Sequence, residues 1–270
     1  MNILLAINNG YILQTKILLK SIMKSNPNEK FSVYILNKEL SNKEKETILE
    51  SIKNSNIEIN FIEINNSEID NFPVYEKRYP VEIYFRLFAS KYLPNNIDKV
   101  LYLDVDTVVI NSLKELYNMD FENNLFIGAT HIKKSLHKFH SIRFGVSEKN
   151  IYVNTGVLLM NIKQLRNIPI EQDVINFVKK NKSKLMLPDQ DIVYALYGNR
   201  VKEVPALLYN LGDKELRLHN LYEKDNIDID WVKVNTVVIH YYGRNKPWNK
   251  NYNGTLNVFY NELQIGRAHV

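Results

Sequence analysis

There is no cysteine in this 270-residue chain, which excludes a disulfide framework, a thiolate metal site and a thiol nucleophile together. No apolar run approaches the roughly 20 residues that a membrane-spanning helix needs. The first residues, Met1 to Asn8, carry no basic segment and too short an apolar run for a secretory leader. They read as a first strand, and the protein is expected in the cytosol. Nowhere do lysines and arginines interleave with aromatics in one segment, and no nucleic-acid motif occurs, so nucleic acid is set aside as a partner. Repeats, low-complexity blocks and linkers are missing too. What remains is 45% hydrophobic and 24% charged, the make-up of an ordinary globular protein long enough to bury a full core. A net charge of +5 with pI ≈ 9.0 suits an anionic small molecule, or peripheral contact with an anionic membrane surface at the inner face of the cell membrane. It equally suits a scattered, solvated lysine surface.

Strand and helix patterns alternate through the first hundred residues. Asn2 to Asn8 reads as a strand, Tyr11 to Ser25 has helical spacing, and Phe31 to Leu36 is a second strand. Ser41 and Glu44 form a capping box that opens a helix to about Asn54, and Ile57 to Ile64 is a third strand. Such a βαβαβ unit implies a parallel sheet. A helix over Val81 to Leu93, stopped by Pro94, leads into a fourth strand. Further on come a helix near Ser112 to Met119, strands at Leu125 to Ala129 and Val153 to Met160, and a helix near Ile170 to Lys180. Another helix opens around Asp189, and Thr236 to Tyr241 is a last strand. One catalytic domain is expected over 1–263, a nucleotide-binding half to about 110 and an acceptor-side half beyond it. The tail 264–270 reads as a truncation or an appended remnant without function.

The fourth strand carries the chemistry. Val100-Leu101-Tyr102-Leu103 is an apolar run that ends in Asp104-Val105-Asp106, so two carboxylates leave a buried parallel strand at its C-terminal end, where ligands bind in open α/β sheets. Residues two apart on a strand share a face, which aims Asp104 and Asp106 at one point. Carboxylates that close repel unless a cation lies between them, and hard oxygen ligands favour Mn²⁺ or Mg²⁺. His240 closes another apolar strand and completes a candidate metal site, while Lys246 supplies a point charge for a phosphate and Gly243 permits close backbone approach. Trp248 reads as a packing aromatic.

In order, Tyr84-Phe85-Arg86-Leu87, Leu101 to Asp106, Asn154-Thr155-Gly156-Val157, Asp189-Gln190-Asp191 and His240 to Trp248 resemble the retaining glycosyltransferases of family 8, a group with bacterial lipopolysaccharide galactosyltransferases and glycogenin. That resemblance implies an α/β fold of the GT-A type, a mixed, mainly parallel sheet flanked by helices, and transfer of glucose or galactose from a UDP-hexose to a carbohydrate-bearing acceptor. It also implies donor contacts from Ala6, Asn8, Asn9, Tyr11, Arg86, Asp104, Val105, Asn154, Gly156, Asp189, Gln190, Gly243 and Lys246. Around the reacting carbon it places Asn154, Asp189 and Gln190. Plainer roles stand beside two of these: an Asx-turn for Asn154 and a helix N-cap for Asp189. The chain departs from the family after the first strand, where Asn8 and Asn9 stand in place of an acidic residue that reads uracil.

Two other readings compete. Asp104-Val105-Asp106-Thr107 also satisfies the nucleophile signature of haloacid dehalogenase-type phosphatases, although a whole βαβαβ unit precedes it and Arg217 stands where a later acid belongs. A non-catalytic nucleotide-sugar binding protein would use the same residues without turnover.

Overall fold

The computed structural model describes residues 1–65, 82–131 and 134–265. Its strands are β1 (Asn2–Ala6), β2 (Phe31–Asn37), β3 (Ile57–Glu63), β4 (Lys99–Leu103), β5 (Thr107–Val109), β6 (Phe126–Gly128), β7 (Val157–Asn161), β8 (Val201–Glu203) and β9 (Val238–His240). Seven form one sheet in the order β3-β2-β1-β4-β7-β6-β8, and β5 pairs with β9 apart from it. The first four run parallel, while β7 lies antiparallel between β4 and β6. Between β1 and β4 the order reverses, because β2 and β3 were laid down on one side of β1 and β4 on the other. The crevice at the C-terminal ends of those two strands is thus a topological switch point.

Alternation along the central strands explains why both faces are covered. Leu4, Val100, Tyr102, Leu158 and Met160 pack into one apolar cluster, and Ile3, Leu5, Leu101, Leu103 and Leu159 into the opposite one. A third cluster under β9 joins Ile239, Tyr241, Phe259 and Tyr260. With apolar layers on both sides of β4, the polar residues that end it have only the sheet edge to occupy.

The strands read from the sequence recur with small shifts, and so does the capping box: Ser41 Oγ accepts from Glu44 N, while Glu44 accepts from Ser41 N at 2.8 Å. Four expectations need correction. The helix before β4 is broken into Glu82–Phe85, a 3₁₀ turn at Arg86–Phe88 and Ala89–Tyr92, and its expected start at Val81 lies outside the described residues. The one expected near Ser112 is a single turn, Lys114–Tyr117. β7 begins at Val157 rather than Val153, because the Asn154 side chain turns the chain by accepting from Gly156 N at 3.0 Å. The helix Asn257–Ile265 runs two residues into the segment read as tail, of which 266–270 lie outside the described residues. No described helix is long and apolar enough to cross a membrane.

Arg166 fastens the entry to β4. Its guanidinium donates to the carbonyls of Ser90, Leu93, Pro94, Asn95 and Ile97 at 2.8–3.3 Å, which ties down the turn between the broken helix and the strand. Arg166→Met leaves those acceptors to water, and urea unfolding should show a loss of about 1–3 kcal/mol, the scale of hydrogen bonds from a charged donor.

Candidate active site

Asp104 and Asp106 converge through a turn, not through the pleat of a strand. β4 ends at Leu103 and β5 starts at Thr107, and the tight turn between them is closed by Thr107 N and Oγ1, which both donate to Asp104 O at 3.1 and 2.7 Å. Two short strands then bring in the histidine. β5 and β9 pair antiparallel with Thr107 opposite His240, and Tyr241 N donates to Asp106 O at 2.9 Å. His240 Nε2 lies 3.1 Å from Asp106 Oδ1 and 3.7 Å from Asp104 Oδ2. One ligand atom from each of the three residues falls within 4.8 Å of the others.

Each carboxylate has a fixed counter-charge on its other side. Arg86 NH2 is 2.9 Å from Asp104 Oδ1, which also accepts from Tyr102 OH at 2.7 Å. Lys246 pairs with Asp106 and donates to Tyr241 O at 2.8 Å. Burial alone would raise the Asp106 pKa, but the His240 and Lys246 charges outweigh it and hold the group below the usual carboxylate range. Desolvation works against the Arg86 charge in the same way, and Asp104, Tyr102 and Asp189 more than offset it. Arg86 is buried, with NH1 also 3.4 Å from Asp189 Oδ2 and donating to Thr155 O at 3.0 Å. It is therefore no surface ion pair; it joins β4, the segment before β7 and the helix Pro188–Tyr197.

Asp189 and Asp191 face different ways. The N-cap of the helix Pro188–Tyr197 is Leu187, without a side-chain bond, so the capping role considered for Asp189 is not realised. Its carboxylate instead accepts from Thr155 Oγ1 and meets Arg86. Asp191 is fully buried, paired with Arg143, and accepts from Tyr152 OH and from Met186 N and Leu187 N at 2.7–3.0 Å. It fixes the segment that carries Asp189 and Gln190; Gln190 itself is half-buried on the first turn.

The remaining candidates divide in two groups. Asn154 makes its Asx-turn to Gly156, and Gly156 lies against the candidate metal ligands: a Cβ there would come within 2.1 Å of His240 Cε1 and 2.6 Å of Asp104 Oδ2. Gly243, at φ +80°, turns the chain from β9 towards Lys246 in a conformation that favours glycine. Val105 sends its side chain into the core, which leaves only its backbone for a ligand. Ala6 ends β1, which runs parallel beside β4 with Leu4 opposite Tyr102. Beyond it, Asn8 caps the 3₁₀ turn Asn9–Tyr11 by accepting from Gly10 N at 3.0 Å, and Asn9 and Tyr11 are exposed. Trp248 packs on Tyr260 with ring centres 5.7 Å apart, as a packing aromatic should. Asn210 was invisible in the sequence. It is fully buried, with Oδ1 2.9 Å from His240 Nδ1, and no spacing marks it.

The donor set of two carboxylates and one imidazole fits a hard or borderline divalent cation. A doubly wound half-sheet whose switch point presents paired aspartates defines a glycosyltransferase fold of the GT-A type. It superposes on the galactosyltransferase LgtC, solved with donor and acceptor sugar analogues, at a TM-score of 0.84 with 24% identity, covering 98% of this chain and 96% of that one. A Haemophilus influenzae protein named only as a glycosyltransferase is 30% identical over 93% of this chain and 73% of its own length. The Escherichia coli lipopolysaccharide 1,2-glucosyltransferase is 26% identical over 92% and 73%. The model of glycosyl transferase family 8 matches residues 2–252, and the chain belongs to that family.

Gly156→Ala tests the packing of the site. The added methyl must push His240 or Asp104 aside, and calorimetric titration of the folded variant should show Mn²⁺ affinity lowered at least about tenfold, the scale on which support of metal ligands acts.

Proposed function

We propose that this chain is a metal-dependent retaining hexosyltransferase that moves glucose or galactose from a UDP-hexose to a glycan, glycolipid or glycoprotein. The convergence of Asp104, Asp106 and His240 at the switch-point crevice, with Lys246 beside them, carries the reading. The relatives add to it: the Escherichia coli protein is a glucosyltransferase of lipopolysaccharide by name, and a Salmonella typhimurium relative, 23% identical, is a lipopolysaccharide 1,3-galactosyltransferase.

In this proposal Asp104, Asp106 and His240 hold Mn²⁺, or Mg²⁺, which when bound offsets the charge of the donor diphosphate as it leaves. Lys246 and the backbone at Gly243 and Val105 take the phosphates, and Ala6, Asn8, Asn9 and Tyr11 take the uridine. Arg86, Asn154, Gly156, Asp189 and Gln190 surround the hexose. The Gln190 amide both donates and accepts, as reading hydroxyls requires, while Asn154, whose oxygen is taken by Gly156 N and Asn210, offers its NH₂ as a donor. Neither amide can serve as the base that an inverting enzyme needs, and the Asp189 carboxylate is already engaged by Arg86 and Thr155. The acceptor oxygen therefore bonds to the anomeric carbon on the face from which the diphosphate oxygen departs, and its proton passes to that oxygen. Lys246 absorbs charge in the same step. The unit 1–263 acts as one catalytic domain, located in the cytoplasm or at the inner face of the membrane.

The phosphatase alternative gains nothing from the site: Asp104 is gripped by Arg86 and Tyr102 and faces His240, which is the posture of a ligand rather than of a free nucleophile. Nor does any damage to the metal ligands speak for a binding protein without turnover.

Asp106→Ala should fold normally and lose turnover by about 10²–10³ or more, the scale of removing a main electrostatic stabiliser. A variant whose Mn²⁺ dependence matches the parent's contradicts the ligand role. Lys246→Ala should lower kcat more than donor affinity, because its charge matters most as the diphosphate departs. The anomeric proton coupling of the product, read by NMR, should report an α-linkage, and a β-linked product overturns the retaining mechanism.

A further inference from the structure

We infer that Asn210 and Asn154 are positioning residues that fix which nitrogen of His240 is offered to the metal. The inference rests on the metal site proposed above. A backbone amide anchors the chain of contacts. Gly156 N donates to Asn154 Oδ1 at 3.0 Å, and since a backbone N–H is only a donor, the Asn154 atom facing it is the carbonyl oxygen. That same oxygen is 3.2 Å from the Asn210 side chain, so the Asn210 atom turned towards it is the NH₂. The other end of the Asn210 amide is then its oxygen, and it lies 2.9 Å from His240 Nδ1. An amide oxygen cannot donate, so His240 Nδ1 carries a proton.

Each link leaves the next one a single choice. With Nδ1 committed as a donor, the lone pair of His240 belongs to Nε2, the nitrogen that faces Asp104 and Asp106. That is the nitrogen a cation held by the three residues would meet, with Nδ1 still donating to Asn210. The opposite tautomer would set a lone pair of Nδ1 against the Asn210 oxygen, whose amide is buried with Asn154 and His240 and held by Asn154. Asn210 is held at its backbone as well, where its carbonyl is 2.8 Å from His131 Nε2. Supporting groups of this kind orient metal-bound histidines and raise their basicity.

The test uses the full chain labelled with ¹⁵N-histidine and loaded with diamagnetic Cd²⁺, the His240 signals being assigned by their loss in His240→Gln. The expected spectrum shows a slowly exchanging proton on Nδ1 and a metal-bound, proton-free Nε2. The reverse pattern in the unmodified chain overturns the inference without any variant. Asn210→Leu, close in shape but unable to accept, should broaden the Nδ1 proton and weaken Mn²⁺ binding, followed by electron paramagnetic resonance, by about 10–100-fold. Asn210→Asp keeps an acceptor for Nδ1, although it loses the donor to Asn154 Oδ1, and should keep the Nδ1 proton signal and bind Mn²⁺ more tightly than the Leu variant. Equal affinity in the Leu variant, or equal loss in both folded variants, refutes the positioning role. None of these readouts requires transfer or hydrolysis of a UDP-sugar. A chain inactive on every donor but showing the expected spectrum defeats the proposed function and leaves this inference standing.

Discussion

A buried guanidinium ties together the segments that make this site. Arg86 has its charge removed from water, an expensive position unless every direction around it offers an acceptor. It finds Asp104, Asp189 and the Thr155 carbonyl, and its guanidinium lies over the Tyr102 ring, 4.4 Å from the centroid. These partners come from β4, from the segment before β7 and from the start of the helix Pro188–Tyr197. Removing any one of them strands charge in the interior, so the three segments are bound to one geometry by the cost of leaving it.

The same electrostatic constraint explains the layout of the candidate metal ligands. Two carboxylates and an imidazole turned towards one point would repel or collapse, and the protein separates the two jobs of each acid. One oxygen of each faces inward, to the shared point; Lys246 holds the other oxygen of Asp106, and Arg86 holds the other oxygen of Asp104 at 2.9 Å while reaching the inward one at 3.4 Å. Arg86 is locked in the core, whereas Lys246 sits on a loop entered through a positive-φ glycine. In the proposed reaction the cation beside the departing phosphate is therefore the loop lysine, a compact point charge, and not the arginine locked in the core.

Much of this was legible in the sequence because the signals were local. The run Val100 to Leu103 with its terminal acids marked the strand and its edge, the capping box located a helix, and the block from His240 to Lys246 marked the two side chains that meet Asp106. What escaped depends on pairing at a distance. β5 and β8 are three residues each, too short for periodicity, and they exist because β9 and β6 are beside them. The helices Lys134–Phe144 and Asp213–Tyr222 are polar along much of their length and show no clear apolar stripe. A turn brought Asp104 and Asp106 together where a pleat was expected, with the same outcome for their side chains. Asn210 offered nothing to read: an asparagine before a leucine and a glycine becomes a partner of His240 only through the bridge of Leu211 to Ile239.

That dependence on short pairings has a consequence for how the site holds together. Asp104 stands at the end of a strand hydrogen-bonded on both sides within the large sheet, and its position is as secure as the core. His240 belongs to a two-stranded ladder only three residue pairs long, whose place depends on burial in the third apolar cluster and on backbone bonds such as His240 N to Leu211 O at 2.8 Å. The polar chain from Gly156 through Asn154 and Asn210 to His240 connects this short ladder to the large sheet, since Gly156 immediately precedes β7. A cation held by Asp104, Asp106 and His240 would add a second tie between the two sheets.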